Sequence, residues 1–311
     1  MPEVNESFVS IITVNYDQPT VTGQLLQSLQ RIQYQNIEIL VVDNGSPSQT
    51  TDELVVLFPN VHFLKSDINT GFAGGNNLAV QKAKGDYLLF INNDTEVDPD
   101  FLAPLIRCFH QHPGAGMASP KINYFAEKNL IQYAGSTDIN PYSGRNRCIG
   151  QGQPDHGQFN DVRQTAFIHG AAMLVGREVL EQVGPMEESF FLYYEELDWC
   201  ARARRAGFTI WYVGESVIYH KESVSTGQNS PFKLYYLTRN RLLFMWRNFP
   251  THQWLISFFF FSFISLPKHL LSFALKRQFK HVTAFWKAYW WNLSRMVGKG
   301  LGFTGQGTSN L

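Results

Sequence analysis

FVSIITVNY, residues 8–16, is a β-branched apolar run without polar–apolar alternation, the pattern of a strand buried on both faces. Three runs of the same kind follow, at 37–42 (IEILVV), 61–64 (VHFL) and 87–91 (YLLFI). Between them the apolar spacing turns helical. Residues 20–32 place Leu25, Leu26, Leu29 and Ile32 on one face, and Ser46-Pro47 opens a helix bearing Leu54, Val55, Leu57 and Phe58. Residues 74–84 read as a helix closed by Gly85, and 99–111 as one stopped before Pro113. Strand and helix in alternation predict an α/β chain built on a mostly parallel central sheet flanked by helices.

Such sheets bind ligands beyond the carboxyl ends of their strands. The residues there are Asn15-Tyr16-Asp17, Asp43-Asn44-Gly45, Lys65-Ser66-Asp67 and Asn92-Asn93-Asp94. Asp and Asn favour turns, which explains any one of these sites. Four along one rim point to a polar ligand.

Further on, 118–165 is rich in Gly, Asn and Tyr with little periodicity, which predicts loops and an antiparallel excursion. A buried run returns at 167–176. Residues 177–183 then read as a helix ended by Gly184-Pro185, 194–206 as a helix ended by Gly207, and 208–213 and 216–220 as two short strands.

Four groups of residues carry possible chemistry. A carboxylate at a strand end, Asp94, can hold Mg²⁺ or Mn²⁺ against a diphosphate, though alone it could equally cap a turn. TGFAGGNN at 70–77 is neither a Walker A loop nor G-x-G-x-x-G. A glycine-rich helix opening still admits a phosphate or sugar, and a tight turn explains the glycines as well. At 190–207 (FFLYYEELDWCARARRAG), Glu195, Glu196 and Asp198 gather at a helix N-terminus, where the macrodipole favours anions. Asp198 and Arg202 are spaced as an i,i+4 ion pair. Glu195 and Glu196 project about 100° apart, so only one faces a given pocket well. Flanking Phe190, Phe191, Tyr193, Tyr194 and Trp199 could desolvate such a carboxylate towards the pKa of a useful base. Last comes His220 at a strand end, followed by Lys221, Ser223, Ser225 and Thr226, of interest as a second ligand beside Asp94.

Bulk properties narrow the class. The chain has 311 residues, 26 basic and 26 acidic, and 44% apolar content. It is long enough for one large domain with an appendage, and too neutral for the basic field of a nucleic-acid binder. Cys108, Cys148 and Cys200 are odd in number and form no C-x-x-C pair, which argues against a disulfide framework or zinc site and fits a reducing cytosol. The polar, acidic residues 1–7 give no secretory-signal pattern.

SIITVNYDQ, IEILVVDNGS, NTGFAGGNN, GDYLLFINNDTEVDPDFL, GAAMLVGREVLEQVGPMEESFFLYYEELDWCARARRAGF and the later His220-Lys221-Glu222-Ser223 together resemble, in order over most of 8–226, the family 2 glycosyltransferases. The subgroup resembled is the bacterial rhamnosyltransferase-like and galactofuranosyltransferase-like enzymes of cell-surface polysaccharide assembly. The resemblance implies a GT-A fold, Rossmann-like, and an inverting, metal-dependent transfer from a nucleoside-diphosphate sugar (UDP- or dTDP-linked) to a hydroxyl of a glycan or lipid-linked acceptor. It implies that Asn15, Asp17 and Asp43 line the nucleoside pocket, and that Asn69, Gly71, Gly75 and Asn76 shape the nucleotide-sugar pocket. Asn92-Asn93-Asp94 would stand at the family's D-x-D position, with Asp94 and His220 as ligands of Mg²⁺ or Mn²⁺. The family's Glu-Asp pair falls on Glu195-Glu196, making Glu196 the general base, with Asp198 in reserve.

The implied division is 1–230 as the GT-A domain, with 8–117 the nucleotide-sugar half and 118–230 the acceptor and catalytic half, and 231–311 as a helical, membrane-associating appendage. In the latter, 235–246 (YYLTRNRLLFMW) resembles the family's post-catalytic helix. The apolar run 254–266 (WLISFFFFSFISL) stops at Pro267-Lys268-His269 before 270–275, short of the roughly 20 residues a span needs. Flanking Arg247, Lys268, Lys276, Arg277, Lys280 and Lys287, with Trp286, Trp290 and Trp291, suit an in-plane segment on the cytoplasmic face of the membrane. A buried hairpin and a Pro-kinked span are the competing forms. Two other functions remain open at this stage. A sugar-1-phosphate nucleotidyltransferase would need a Gly- and Arg-rich loop where NYDQPT stands. A catalytically degenerate scaffold would draw on the N-N-D and E-E departures.

Overall fold

The structure is a computed structural model, and it describes residues 7–221 and 230–298. Glu222, Ser223, Ser225 and Thr226, read above as neighbours of His220, lie outside the described residues, as do residues 1–6. The chain forms two compact units. The first comprises Met1–Thr137, Cys148–Phe191 and Glu195–Ser225; the second Asp138–Arg147, Leu192–Tyr194 and Thr226–Leu311.

In the first unit, β1 (Val9–Asn15), β2 (Ile37–Asn44), β3 (His62–Ser66) and β4 (Tyr87–Ile91) are joined by α1 (Pro19–Leu29), α2 (Asp52–Leu57) and α3 (Gly71–Val80). Then follow β5 (Thr95–Val97), α4 (Leu102–Gln111), β6 (Ala115–Tyr124), β7 (Ile131–Tyr133), β8 (Val162–Gln164), β9 (Ala172–Gly176), α5 (Arg177–Val183), α6 (Glu195–Arg205) and β10 (Thr209–His220). The sheet order is β3-β2-β1-β4-β9-β6-β10-β5, with β7 beside β6 and β8 beside β10. The first four strands run parallel, and β9 is antiparallel to both β4 and β6. Fully buried Ile11, Val41, Leu89 and Leu174 of the sheet share one core with Leu25, Leu26 and Leu105 of the helices. Continuous strand hydrophobicity follows from that two-sided cover.

Four expectations change. The helix expected from Ser46-Pro47 starts at Asp52, because Ser46 is held by the sheet rim instead. The helix expected to close at Gly85 ends at Val80. Gly85 serves close approach: its N–H donates to Ser10 Oγ at 2.8 Å, and a Cβ there would stand 2.4 Å from Ser10 N. The two short strands expected at 208–213 and 216–220 are one, β10, whose register on β6 shifts between Val213 and Val217. That irregularity falls at Gly214, where a Cβ would meet the Phe159 carbonyl at 2.0 Å.

The second unit contains α7 (Pro231–Asn248), α8 (Thr251–Phe260), α9 (Leu266–Leu275) and α10 (Phe279–Gly298). The expected break at Pro267 is absent. A π-helical turn, Phe261–Ser265, joins α8 to α9, so Thr251–Leu275 is one continuous helix. Pro267 would clash with the carbonyl of Phe263, and a widened turn just ahead relieves that contact. Leu242, Phe261, Leu266 and Phe285 form this unit's own core.

Candidate active site

Parallel register assembles the rim. Asn15 pairs with Asp43, and Asp43 with Lys65, so the strand ends align. Asp43 and Asn44 are buried, and each organises a loop. The Asp43 carboxylate accepts from the backbone N–H of Ser46 (3.1 Å) and of Thr51 (3.0 Å). Asp17, at a positive φ of 56°, accepts from the N–H of Ser48 (3.1 Å) and Gln49 (2.6 Å). The two carboxylates thus fix the 46–51 loop that follows β2. The third rim position differs: Lys65 and Asp67 are exposed, and Lys65 pairs outward with Asp52 at 2.5 Å.

A hydrogen-bond relay crosses the rim. Asn93 Nδ2 donates to Thr22 Oγ1 (3.1 Å), Thr22 to Asn15 Oδ1 (2.8 Å), and Asn15 Nδ2 to Ser46 Oγ (3.2 Å). Thr22 is fully buried and joins the ends of β1 and β4. Sequence reading missed it, because only α1 packing over β1 brings Thr22 to Asn15.

The turn before α3 is built by Asn44. Its Oδ1 accepts from Thr70 N (3.1 Å) and Thr70 Oγ1 (2.8 Å), and its Nδ2 donates to Asn69 Oδ1 (3.2 Å) and Gly71 O (2.9 Å). Asn69 Oδ1 also accepts from Gly71 N at 2.8 Å. Gly71 has φ +75°, and a Cβ on it would stand 2.2 Å from the Phe191 carbonyl oxygen, which accepts from Phe72 N at 2.6 Å. A Cβ on Gly75 would meet Val14 Cγ1 at 2.9 Å. Asn76 is buried and donates back to Phe72 O at 2.9 Å. These glycines let α3 lie against β1 and the segment before α6.

Asp94 and His220 meet through the antiparallel β5–β10 pairing, in which His220 faces Thr95, and through the Lys221 N–H bonded to Asp94 O at 2.9 Å. His220 Nε2 lies 3.1 Å from Asp94 Oδ1 and 3.5 Å from Asn92 Nδ2. Both Asp94 and His220 are buried. His220 Nδ1 lies 2.9 Å from Gln132 Oε1, itself buried. An amide oxygen only accepts, so Nδ1 is the nitrogen that donates to Gln132, and Nε2 is the one turned towards Asp94. Apart from this contact with His220, Asp94 Oδ1 has no hydrogen-bond partner among the described residues. A carboxylate oxygen and an imidazole nitrogen, buried 3.1 Å apart, are both atom types that divalent cations take as ligands, so the pair fits a divalent metal. Among the described residues no group of three or more His, Cys, Asp or Glu could hold a metal. Two protein ligands accord with Mg²⁺ or Mn²⁺ completed by substrate phosphates, rather than a closed all-protein cage. Gln132 lies in the stretch that showed no periodicity, so no signal announced it.

His169 lies beside this pair, its ring centroid 6.1 Å from that of His220. Burial first, and His220 second, push it down to about 3, so it stays neutral, its Nδ1 accepting from Ala171 N at 3.1 Å. The next residue, Gly170, faces Glu196: a Cβ on Gly170 would lie 3.8 Å from Glu196 Cδ. Burial, and then the charge of Glu196, push the Cys148 thiol up to about 11. Glu196 is half-buried, whereas Glu195 is buried. Asp198 is fully buried and pairs with Arg202 Nε at 2.8 Å, while the other Arg202 nitrogens hold the carbonyls of Val183 and Pro185 at 2.8 Å each. Asp198 and Arg202 therefore tie α6 to the end of α5.

The sequence profile described as Glycosyl transferase family 2 matches residues 10–184, more than half of the chain. This chain belongs to that family. Among relatives, it is 28% identical over 240 residues, 76% of this chain and 74% of the other, to the low-salt glycan biosynthesis hexosyltransferase Agl10 of Haloferax volcanii. It is 24% identical over 239 residues, 70% of this chain and 78% of the other, to the N-acetylglucosaminyl-diphospho-decaprenol L-rhamnosyltransferase of Mycobacterium tuberculosis. A solved mannosyltransferase of Pyrobaculum calidifontis, in complex with GDP-Man and Mn²⁺, superposes with a TM-score of 0.57 at 14% identity, covering 94% of this chain and 88% of that one. That likeness shows the fold, GT-A. This glycosyltransferase thus carries the rim, the Asp94–His220 pair and Glu196 on a known enzyme scaffold.

Proposed function

We propose that this glycosyltransferase moves a sugar from a UDP- or dTDP-sugar to a hydroxyl of a glycan or lipid-linked acceptor, with inversion, in cell-surface polysaccharide biosynthesis. The observation that carries this reading is the buried Asp94–His220 pair, a carboxylate oxygen beside an imidazole nitrogen at the carboxyl end of the sheet. Asp94 and His220 would hold Mg²⁺ or Mn²⁺, and the metal, when bound, supplies positive charge for a leaving diphosphate. Asn15, Asp17 and Asp43 would border the nucleoside. Asn69, Gly71, Gly75, Asn76, Asn92 and Asn93 would shape the rest of the donor pocket. Glu196, the more accessible of the two glutamates, takes the acceptor hydroxyl's proton as that oxygen attacks the anomeric carbon. One displacement inverts the centre. The rhamnosyltransferase relative, named for an acceptor on diphospho-decaprenol, supports a lipid-linked acceptor, and the mannosyltransferase with bound Mn²⁺ supports a metal.

We further infer that Thr251–Leu275 enters the membrane on its cytoplasmic side. It has 25 residues and a mean hydropathy of 1.5, and Phe259, Phe263, Ile264 and Leu271 on it are exposed. At 1.5 Å per residue it is about 37 Å long, enough to cross a hydrocarbon core of about 30 Å.

Differential scanning fluorimetry with nucleoside diphosphates and nucleotide sugars, with and without Mn²⁺ or Mg²⁺, tests the donor site. A metal-dependent rise in melting temperature with UDP or dTDP species is expected, and the largest shift nominates the sugar. No shift from any of them would overturn the reading. Glu196→Gln should retain that shift while turnover drops about 10²–10⁴-fold.

A further inference from the structure

The chain leaves the first unit at Phe191 and re-enters it at Glu195, and the residues between, Leu192–Tyr194, belong to the second unit. Along this passage Phe191, Tyr193 and Tyr194 have φ of 65°, 68° and 76°. That is the left-handed region, which bulky side chains occupy only when their surroundings force it. Asp17 and Arg277 are the only other non-glycine residues so placed among those described.

One buried side chain holds the turn. Asn240, on α7 and fully buried, donates from Nδ2 to the carbonyls of Leu192 and Tyr193, at 2.7 Å each. The backbone angles of Tyr193 set how those two carbonyls lie, and its left-handed φ turns them to one side, so one amide reaches both. An amide nitrogen has two protons, and the two carbonyls take them. The orientation of the amide is fixed in turn. Arg239 Nε donates to Asn240 Oδ1 at 2.7 Å, and a guanidinium only donates, so the oxygen faces the arginine and the nitrogen the carbonyls. Arg239 is itself buried, its guanidinium carbon 4.7 Å from the ring centroid of Tyr236 and 4.6 Å from that of Trp291. Asn292 of α10 donates to the Arg239 carbonyl at 3.0 Å. One turn further along the same face of α7, Phe244 packs on Tyr194, ring centroids 5.8 Å apart.

Asparagine suits a helix interior poorly, and burying its amide is costly unless the amide is bonded. The carbonyls of Leu192 and Tyr193 account for its place on α7. Glu195 and Glu196, the first residues of α6, come directly after them. The residues just before a helix set the direction in which it starts, so the angles at Tyr193 and Tyr194 determine where a carboxylate of its first turn stands. We propose that Asn240 is a positioning residue for Glu196, acting by clamping the left-handed turn from which α6 starts. The inference rests on the reading of Glu196 as the general base.

Asn240→Asp keeps the shape of the side chain and the acceptor facing Arg239, and removes both donated hydrogen bonds. In the full chain in detergent, amide hydrogen exchange at 192–197 should rise about tenfold or more while β1 to β4 stay protected. Turnover is followed on the UDP- or dTDP-sugar of largest thermal shift, as nucleoside diphosphate released with native membranes supplying the acceptor. Its kcat should fall about 10²-fold, because a displacement of about 1 Å is enough for that, with donor KM and the Mn²⁺-dependent thermal shift unchanged. A general loss of packing would not give this split. Tyr193→Gly relieves the strain instead, since glycine accepts a positive φ, and combined with Asn240→Asp it should recover part of the lost kcat. Exchange unchanged at 192–197, kcat unchanged, or exchange raised throughout the chain and not repaired by Tyr193→Gly would overturn the proposal. A wild type with neither thermal shift nor turnover would sink the transfer reading, while exchange raised only at 192–197 would still establish the clamp.

Discussion

At the scale of single residues, the proposed metal pair leans on a neighbour, Gln132. Gln132 holds the His220 imidazole by its Nδ1 at 2.9 Å, which turns Nε2 towards Asp94. Gln132→Leu frees the ring to turn and to change tautomer. Manganese affinity, measured by titration in the presence of UDP, should fall about 10–100-fold. Gln132→Glu, which keeps an acceptor, should restore most of it. Unchanged affinity in Gln132→Leu would show that His220 is not a ligand. Gly71 makes a second case. Its positive φ and its contact with the Phe191 backbone leave no room for a methyl group. Gly71→Ala should destabilise the protein by about 3 kcal/mol in urea unfolding, through strain and overpacking together.

At the scale of elements, the 154–160 loop is pinned to β6 by Lys121, which is buried and contacts Asp155 Oδ2 and Asn160 Oδ1 at 2.7 Å each. Burial alone would raise the Asp155 carboxyl, but Lys121, the Gly157 N–H and Asn123 outweigh it and hold it below the usual range. A lowered native pKa means stability that is present above the unfolded value of about 3.9 and is lost as pH falls through the native one. Asp155→Asn should therefore cost about 2 kcal/mol at pH 7, leaving Lys121 short of an acceptor. That difference from wild type should shrink below about pH 4. A gap that does not narrow at all between about pH 4 and pH 2 would mean that packing, not charge, sets the effect. Elements also show what the sequence made legible. β1, β2, β4 and α5 follow from local apolar pattern, because both faces of a parallel strand are buried and nothing else tunes their composition. The rim residues Asn15, Asp43, Asn92 and Asp94 were visible because strand ends align. What stayed hidden depends on contacts distant in sequence. Ser46 is drawn to Asn15 rather than to a helix, Gly85 is a glycine because of Ser10, and β10 continues through Gly214 because the Phe159 carbonyl needs the space. Pro267 reads as a break wherever a π-turn is not foreseen.

At the scale of the whole molecule, a neutral sum conceals a cationic segment carrying exposed Trp286 and Trp290, Phe259 and Phe263. Flotation of the full chain with phosphatidylglycerol vesicles should carry it upward, and 1 M salt should not release it, because an inserted helix is held by apolar burial. Complete release by salt would place the chain at the surface by charge alone. The rim relay has its own large-scale consequence. Every link from Asn93 through Thr22 and Asn15 to Ser46 points the same way, amide or hydroxyl proton ahead of oxygen. Such a chain has a polarity, like a compass needle set into the edge of the sheet. It ends in an amide oxygen at Asn93 and a hydroxyl proton at Ser46. A ligand laid along it meets an acceptor at one end and a donor at the other, so only one heading is satisfied, and a substrate lying the opposite way would find both ends mismatched.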